Sequence, residues 1–174
     1  MTATTDLLVL AASNGENLKL AERFAAAGRE RGMTVEVLDL TTLPLPLYNP
    51  RTLAEGGIPE AVAHLSRQLE RVSHWVICAP EYNGSIPPVL TSAIAWLSVQ
   101  GEDFRSLFNG RPIAIATHSG GGGHTVLTAL RLQLAHLGAQ VVGRQLVSNN
   151  AKPAKDSSVT DLLARLQTMT LIRV

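Results

Sequence analysis

Short apolar runs alternate with longer amphipathic stretches along the 174-residue chain. The runs have the length and the continuous apolar character of strands that are buried on both faces, as in parallel sheets. The stretches between them repeat apolar residues at helical spacing. The chain therefore predicts five β-α repeats. The predicted strands comprise residues 6–12, 34–40, 73–79, 112–117 and 140–142, the last continuing irregularly through 143–147.

Capping and breaking residues indicate where the helices begin and end. Asn17 can cap the first helix, and Asp156 can cap the last. Gly32 and Gly138 are expected to stop the helices that precede them. Pro88 suits the first position of the helix that follows the third strand, where its missing N–H is harmless.

The regular alternation of strands and helices predicts a doubly wound α/β domain over residues 1–174. Such a domain has a five-stranded parallel sheet, right-handed crossovers and helices on both faces. In the flavodoxin-like strand order, 2-1-3-4-5, strands one, three and four are neighbours. The loops at their carboxyl ends then converge on one crevice, where open α/β sheets bind ligands. After the second strand, the proline-rich residues 41–57 predict a loop over the top of the sheet.

The composition excludes several kinds of partner. The chain is 45% hydrophobic and 17% charged, with a net charge of +1, which argues against nucleic acid and against an anionic membrane surface. No apolar stretch approaches the ~20 residues that span a bilayer, and no basic segment precedes an apolar one at the N-terminus. Cys78, the single cysteine, is expected to be a buried thiol. We expect a soluble cytoplasmic protein.

The first of the three converging loops, residues 13–18, can bind a phosphate. Ser13 and Asn17 offer side-chain donors, and Gly15 lets the backbone turn close to a ligand. The helix that follows presents free N–H groups and the positive end of its dipole. The loop has neither the Gly-Lys-Ser/Thr of a P-loop nor the G-x-G-x-x-G of a dinucleotide site. An ordinary capped helix start explains the same residues.

The second loop, residues 80–85, suits a flat heteroaromatic ring. Pro80 ends the third strand, and Asn83-Gly84 predicts a tight turn. Tyr82 can lie beside a ring while backbone N–H groups reach the polar edge of that ring. Glu81 could act as a general base instead, although no partner for it is visible. A rigid turn without any ligand also explains this loop.

The third loop, residues 117–124, contains four consecutive glycines. Glycine allows close backbone approach, which leaves room for a flat ligand. His118 and His124 flank the glycines, but a metal site needs more ligands at firmer spacing. Ser119 lacks the G-x-S-x-G context of a nucleophile. The three loops together favour one crevice for a phosphate and a ring.

The longest motif of the chain runs from Pro80 to Ser98 and reads PEYNGSIPPVLTSAIAWLS. It resembles the P-E-Y-N-x-S-x-P-x-x-L-K-N-A-I-D-W-L-S signature of the NADPH-dependent FMN reductases. This flavodoxin-like family includes quinone, azo-dye and chromate reductases. Supporting matches lie at residues 43–49, in the first loop and at residues 119–123. The resemblance covers nearly the whole chain, more loosely after about residue 149.

The resemblance implies FMN held by the three loops, with NADPH or NADH as the electron donor. Hydride would pass through flavin N5 to a quinone, flavin, azo or metal-oxyanion acceptor in a ping-pong sequence, without a catalytic side chain. It also implies a homodimer or homotetramer with the flavin near the interface. The implied binding residues are Ser13, Gly15, Asn17 and Leu18 for the phosphate, Pro80, Glu81, Tyr82, Asn83, Gly84 and Ser85 for the isoalloxazine, and His118, Ser119, Gly120 and Gly121 to close the site.

The chain departs from the family pattern at three places. The first loop lacks the arginine of many members, so the phosphate charge would rest on backbone N–H groups, the helix dipole and Lys19. Ala95 replaces the acid of I-D-W, and Thr91-Ser92 replaces Lys-Asn. Two alternatives stay open. One is an FMN electron carrier without NAD(P)H activity, and the other is a non-catalytic binding module on the same fold.

Overall fold

The protein, described by a computed structural model over residues 5–172, alternates strands and helices as the sequence predicts. Its strands are β1 (Leu7–Ala11), β2 (Val35–Asp39), β3 (His74–Cys78), β4 (Pro112–His118), β5 (Gln140–Val141) and β6 (Leu146–Ser148). Its helices are α1 (Glu16–Glu30), α2 (Pro50–Gly56), α3 (Glu60–Glu70), α4 (Pro88–Ser98), α5 (His124–His136) and α6 (Asp156–Gln167). Among these helices, none is both long and apolar enough to cross a bilayer.

The strands form one parallel sheet in the order β2-β1-β3-β4-β5, so the predicted order is confirmed. The fifth position is shared by two short strands, because β6 also pairs with β4. Val141 lies opposite Ile113 and Leu146 opposite Ala116. Five residue steps on the outer strand therefore match three on β4, so the outer chain carries two extra residues between the two pairings. The interruption between β5 and β6 lies mostly within residues 143–147, where an irregular strand was predicted.

Alternate residues of the strands face opposite layers of helices. One face packs on α3, α4 and α5 through a large apolar cluster that includes Trp75 and Ile115. The other face packs on α1 and α6 through a second cluster that includes Val76 and Phe24. Burial on both faces explains why β1, β3 and β4 read as continuous apolar runs. Cys78 belongs to the second cluster as a buried free thiol, as predicted, and burial raises the pKa of this thiol well above its usual range.

Two predicted helix caps are wrong. Gly15, not Asn17, occupies the N-cap of α1, and the Asn17 side chain is used elsewhere. Lys155 occupies the N-cap of α6, while Asp156 lies in the first turn and accepts a hydrogen bond from Arg23 at 2.6 Å. In both cases the side chain that was predicted to cap the helix forms a hydrogen bond with a group more than 100 residues away in the sequence.

A further helix was not predicted from the sequence. The expected loop at residues 51–57 forms most of α2, a seven-residue helix without a buried residue. Asn49 caps it by accepting a hydrogen bond from the Thr52 N–H at 2.9 Å, and Pro50 occupies its first position. The stops at Gly32 and Gly138 are confirmed, and both glycines have positive φ.

Candidate functional site

The three predicted loops meet at the carboxyl edge of the sheet. β3 lies between β1 and β4, and Ala11, Cys78 and Ala116 lie side by side at the ends of these strands. The pairing continues beyond the strands, since the Ala12 N–H donates to Cys78 O at 2.9 Å and the Ala79 N–H donates to Ala116 O at 3.0 Å. The first, second and third loops therefore leave the sheet from adjacent positions.

Asn17 joins the first loop to the third. Its amide nitrogen donates to His118 O at 2.9 Å, and its amide oxygen accepts from the His118 N–H at 2.9 Å. Asn17 is only 2% exposed, and both bonds are partly buried. This side chain thus reaches across the end of β3 to fix the spacing between two of the loops. Asn17 therefore acts as a tie between the loops, and the phosphate contact predicted for its side chain stays a prediction.

The second loop is a two-residue hairpin. The Tyr82 and Ser85 N–H groups each donate to the carbonyl of the other residue, at 3.1 and 3.0 Å. Between them Asn83 and Gly84 both have positive φ, 52° and 71°, as a type I′ turn requires. The predicted tight turn is confirmed. The Tyr82 side chain is 48% exposed, so its ring lies open to a ligand or a partner.

Glu81 joins the second loop to the third. Its Oε2 accepts from the Val126 N–H at 3.1 Å, in the first turn of α5. That helix begins after Gly123 without a side-chain cap of its own, so Glu81 supplies the missing acceptor from another loop. This contact makes Glu81 a structural tie, and the alternative of a general base loses support because the carboxylate is engaged.

The backbone of His118 bonds to Asn17, and its ring contacts two residues outside the three loops. The ring nitrogens lie 3.1 Å from Ser148 Oγ and 3.1 Å from Asn150 Oδ1. The Ser119 N–H also donates to Ser148 O, at 3.0 Å. Ser148 and Asn150 therefore support the third loop from the side of β6. Sequence reasoning missed both residues, because they lie some 30 positions from His118 in a segment without a motif.

Open backbone donors suit the first loop to a phosphate. Within the described residues, the N–H groups of residues 13–17 have no protein acceptor, whereas those of Leu18 and Lys19 donate to Gly15 O. A β-carbon added at Gly15 would meet nothing within 4 Å, so space for a ligand adjoins these donors. Successive free amides at a helix N-terminus form an anion-binding concavity. Leu18 itself offers only an apolar side chain packed toward the core.

The second and third loops suit the polar edge of a flat ring. Among residues 5–172 no acceptor meets the N–H groups of Asn83, Gly84, Gly120 or Gly121. Gly120 faces open space, and a β-carbon on Gly121 would come within 3.8 Å of the Glu81 carboxylate. Pro80 is buried and has no N–H to offer. These donors and this space fit the isoalloxazine of FMN, although the binding role of each residue stays a prediction.

Glu81→Ala is expected to destabilise the protein by about 1–2 kcal/mol, because the Val126 N–H loses its acceptor. Glu81→Gln keeps an acceptor oxygen and should recover about half of that loss. Urea unfolding monitored by circular dichroism measures both changes. Glu102→Ala, at an exposed position outside the three loops, is the matched control. Equal stability of the Glu81→Ala and Glu102→Ala variants would show that Glu81 does not cap α5.

Comparison with solved structures defines the class of fold. The flavoenzyme NAD(P)H:(acceptor) oxidoreductase FerB from Paracoccus denitrificans superposes with a TM-score of 0.74 at 21% identity, covering 96% of this chain and all of that one. A flavodoxin from the Archaea superposes with a TM-score of 0.62 at 12% identity, covering 94% and 99%. At these identities the likeness concerns the fold alone, which is flavodoxin-like as predicted.

Sequence comparison identifies the family. Residues 5–153 match the model of the NADPH-dependent FMN reductases, so the chain belongs to that family, and the predicted membership is confirmed. The quinone reductase of Escherichia coli K12 is 32% identical over 133 residues, which are 75% of this chain and 66% of that protein. An NAD(P)H-dependent FMN reductase of Pseudomonas aeruginosa is 37% identical over 90 residues, 52% and 45% of the two chains. The matches thus span 66% and 45% of the lengths of these two relatives.

Proposed function

We propose that this protein is an NAD(P)H-dependent FMN oxidoreductase that reduces a quinone or a similar small acceptor. The observation that carries the proposal is the meeting of three loops whose backbone donors lack protein acceptors, in a chain that belongs to the FMN reductase family. The quinone class is proposed because the E. coli relative is named a quinone reductase. Flavin, azo and metal-oxyanion acceptors remain within the proposal.

The chain's own residues would bind and orient the cofactor. The amides of residues 13–17 and the N-terminal end of α1 would hold the phosphate. The hairpin around Asn83-Gly84 and the glycines after Ser119 would hold the ring in one plane. The side chains of Asn17 and Glu81 would keep the loops at a fixed spacing. When bound, FMN supplies the hydride chemistry between NAD(P)H and the acceptor.

An anaerobic spectrum of the protein with FMN and NADPH tests the proposal. We expect the visible flavin bands to shift when FMN meets the protein and to bleach when NADPH is added, with colour restored by a quinone. FMN that binds but does not bleach would favour an electron carrier without NAD(P)H activity. A protein that binds no FMN would favour the non-catalytic module.

The protein is further proposed to act as a homodimer, or a dimer of dimers, with the flavin near the interface. Support comes from an apolar surface beside the second loop, where Leu47 is 70% exposed and Tyr82 48% exposed. A cavity of about 350 Å³ adjoins Leu47 and is lined by Leu47, Tyr48, Ile86, Pro88, Thr91, Ser92 and Ala95. Three of the positions that depart from the family motif, Thr91, Ser92 and Ala95, therefore line this cavity. The cytoplasmic location stays a prediction.

Leu47→Glu is expected to shift the protein from dimer toward monomer, because the change places a charge in the proposed apolar contact. Sedimentation velocity at micromolar concentration measures the shift, and circular dichroism checks the fold. Leu132→Glu is the matched control, since Leu132 is 69% exposed on α5 away from this surface. A monomeric parent protein, or equal effects of the two substitutions, would contradict the proposed interface.

A further inference from the structure

The two charged side chains around the first loop are paired with each other. Residues 12–20 contain two charged side chains, Glu16 and Lys19. These two form an ion pair at 2.6 Å, with 50% and 73% of the side chains exposed, so together they add no net charge. The next cation on α1, Arg23, is bonded to Asp156 at 2.6 Å and to Ala154 O at 2.8 Å. No uncommitted cation on the first half of α1 is left to meet a phosphate.

Glu16 lies where a phosphate would bind. It is the first residue of α1, and its own N–H belongs to the row of amides without an acceptor. A carboxylate in the first turn already interacts with the positive end of the helix dipole. Lys19, by hydrogen bond and charge, and then His118 of the third loop hold the pKa of Glu16 below its usual value. The carboxylate is thus ionised at neutral pH.

The second and third loops do not reverse this balance. The Glu81 carboxylate brings another negative charge, which is engaged with the Val126 N–H. Residues 119–123 are a serine and four glycines without any charge. A phosphate dianion entering the first loop would gain the amides and the dipole, but the Glu16 carboxylate already interacts with the same dipole and offsets the charge of Lys19. A neutral ribityl hydroxyl would gain hydrogen bonds there and would not depend on the charge of Lys19.

We propose that Glu16 is a specificity-determining residue that cancels the advantage of the flavin phosphate, so that the chain takes riboflavin about as well as FMN. The inference rests on the proposed flavin site. Recognition then comes mainly from the isoalloxazine ring held by the second and third loops. The proposed ligands therefore include flavins without a phosphate as well as flavin nucleotides.

Fluorescence titration of the full chain with FMN and with riboflavin at 0.15 M salt tests the inference. For the parent protein we expect the two dissociation constants to agree within about threefold. Glu16→Gln should tighten FMN by about threefold to tenfold, the range expected for one partly exposed charge against a dianion. It should leave the riboflavin constant within about twofold. Glu16→Asp keeps the charge and should retain the parent ratio.

Glu30→Gln is the matched control, because it removes one negative charge from the other end of α1. At 1.5 Å per residue it lies about 21 Å from Glu16, beyond the ~8 Å screening length at this salt concentration. Parent FMN binding more than about 30-fold tighter than riboflavin, or equal effects of Glu16→Gln and Glu30→Gln, would overturn the inference and leave the flavin site intact. Failure of both flavins to bind would overturn the proposed function together with it.

Discussion

Gly123→Ala is expected to destabilise the protein by about 2–4 kcal/mol and to weaken flavin binding at the third loop. Gly123 has φ of 68° and ψ of 0° at the N-cap of α5, a left-handed conformation that costs an alanine free energy. An added β-carbon would also lie 2.7 Å from Thr117 Cγ2 and 3.4 Å from Ser119 Cβ. Thr117 cannot easily turn aside, because it is buried and its hydroxyl donates to Ala79 O at 2.6 Å.

The midpoint of urea unfolding and the dissociation constant for FMN measure the two effects. Gly120→Ala is the control for stability, since Gly120 lies in the same glycine run without a positive φ and with open space around an added β-carbon. It should change the free energy of unfolding by less than about 0.5 kcal/mol. If the two alanine variants were equally stable, the strained geometry at Gly123 would be wrong.

Asn17→Leu is expected to cost about 2–4 kcal/mol of stability and to loosen the first loop relative to the third. The substitution keeps a similar side-chain size but leaves the N–H and the C=O of His118 without their partners, in a place that water reaches poorly. Each buried polar group left unpaired costs about 1–3 kcal/mol. The loss of the fixed spacing between the two loops should also weaken FMN binding.

Hydrogen exchange separates this role from a general loss of packing. The His118 amide should exchange far faster in Asn17→Leu than in the parent protein. The exchange rates of amides in the middle of β1 should change only as much as the global stability changes. Asn14→Leu is the control, because Asn14 is exposed on the same loop. An unchanged His118 exchange rate in Asn17→Leu would contradict the tie between the loops.

The fold could be predicted from the sequence because its signals are local and repeated. Each core strand is buried on both faces, so each appears as a continuous apolar run, and the glycines at helix ends mark the boundaries. Strand order followed from the doubly wound topology, and the hairpin at Asn83-Gly84 followed from the conformations that these two residues favour. The family followed from the long motif that contains this hairpin.

The roles of individual side chains could not be predicted in the same way. Asn17 fits a helix cap by its position, but its partner is the backbone of His118, 101 residues away. Asp156 likewise bonds to Arg23, 133 residues away. Local sequence carries no information about which of two hydrogen-bond partners a polar side chain will meet. The helix at residues 50–56 was missed for another reason, since it buries no residue and so lacks an apolar periodicity.

The most direct test of the central claim is a titration of ¹⁵N-labelled protein with FMN, followed residue by residue in two-dimensional NMR spectra. The account predicts that the largest shifts fall on the amides of residues 13–17, 83–84 and 119–121, with smaller changes along α1 and α5. Shifts concentrated elsewhere would contradict it. One such place is the cavity of about 320 Å³ between β6 and α6, which is lined by Arg144, Lys152 and Ser158 among others.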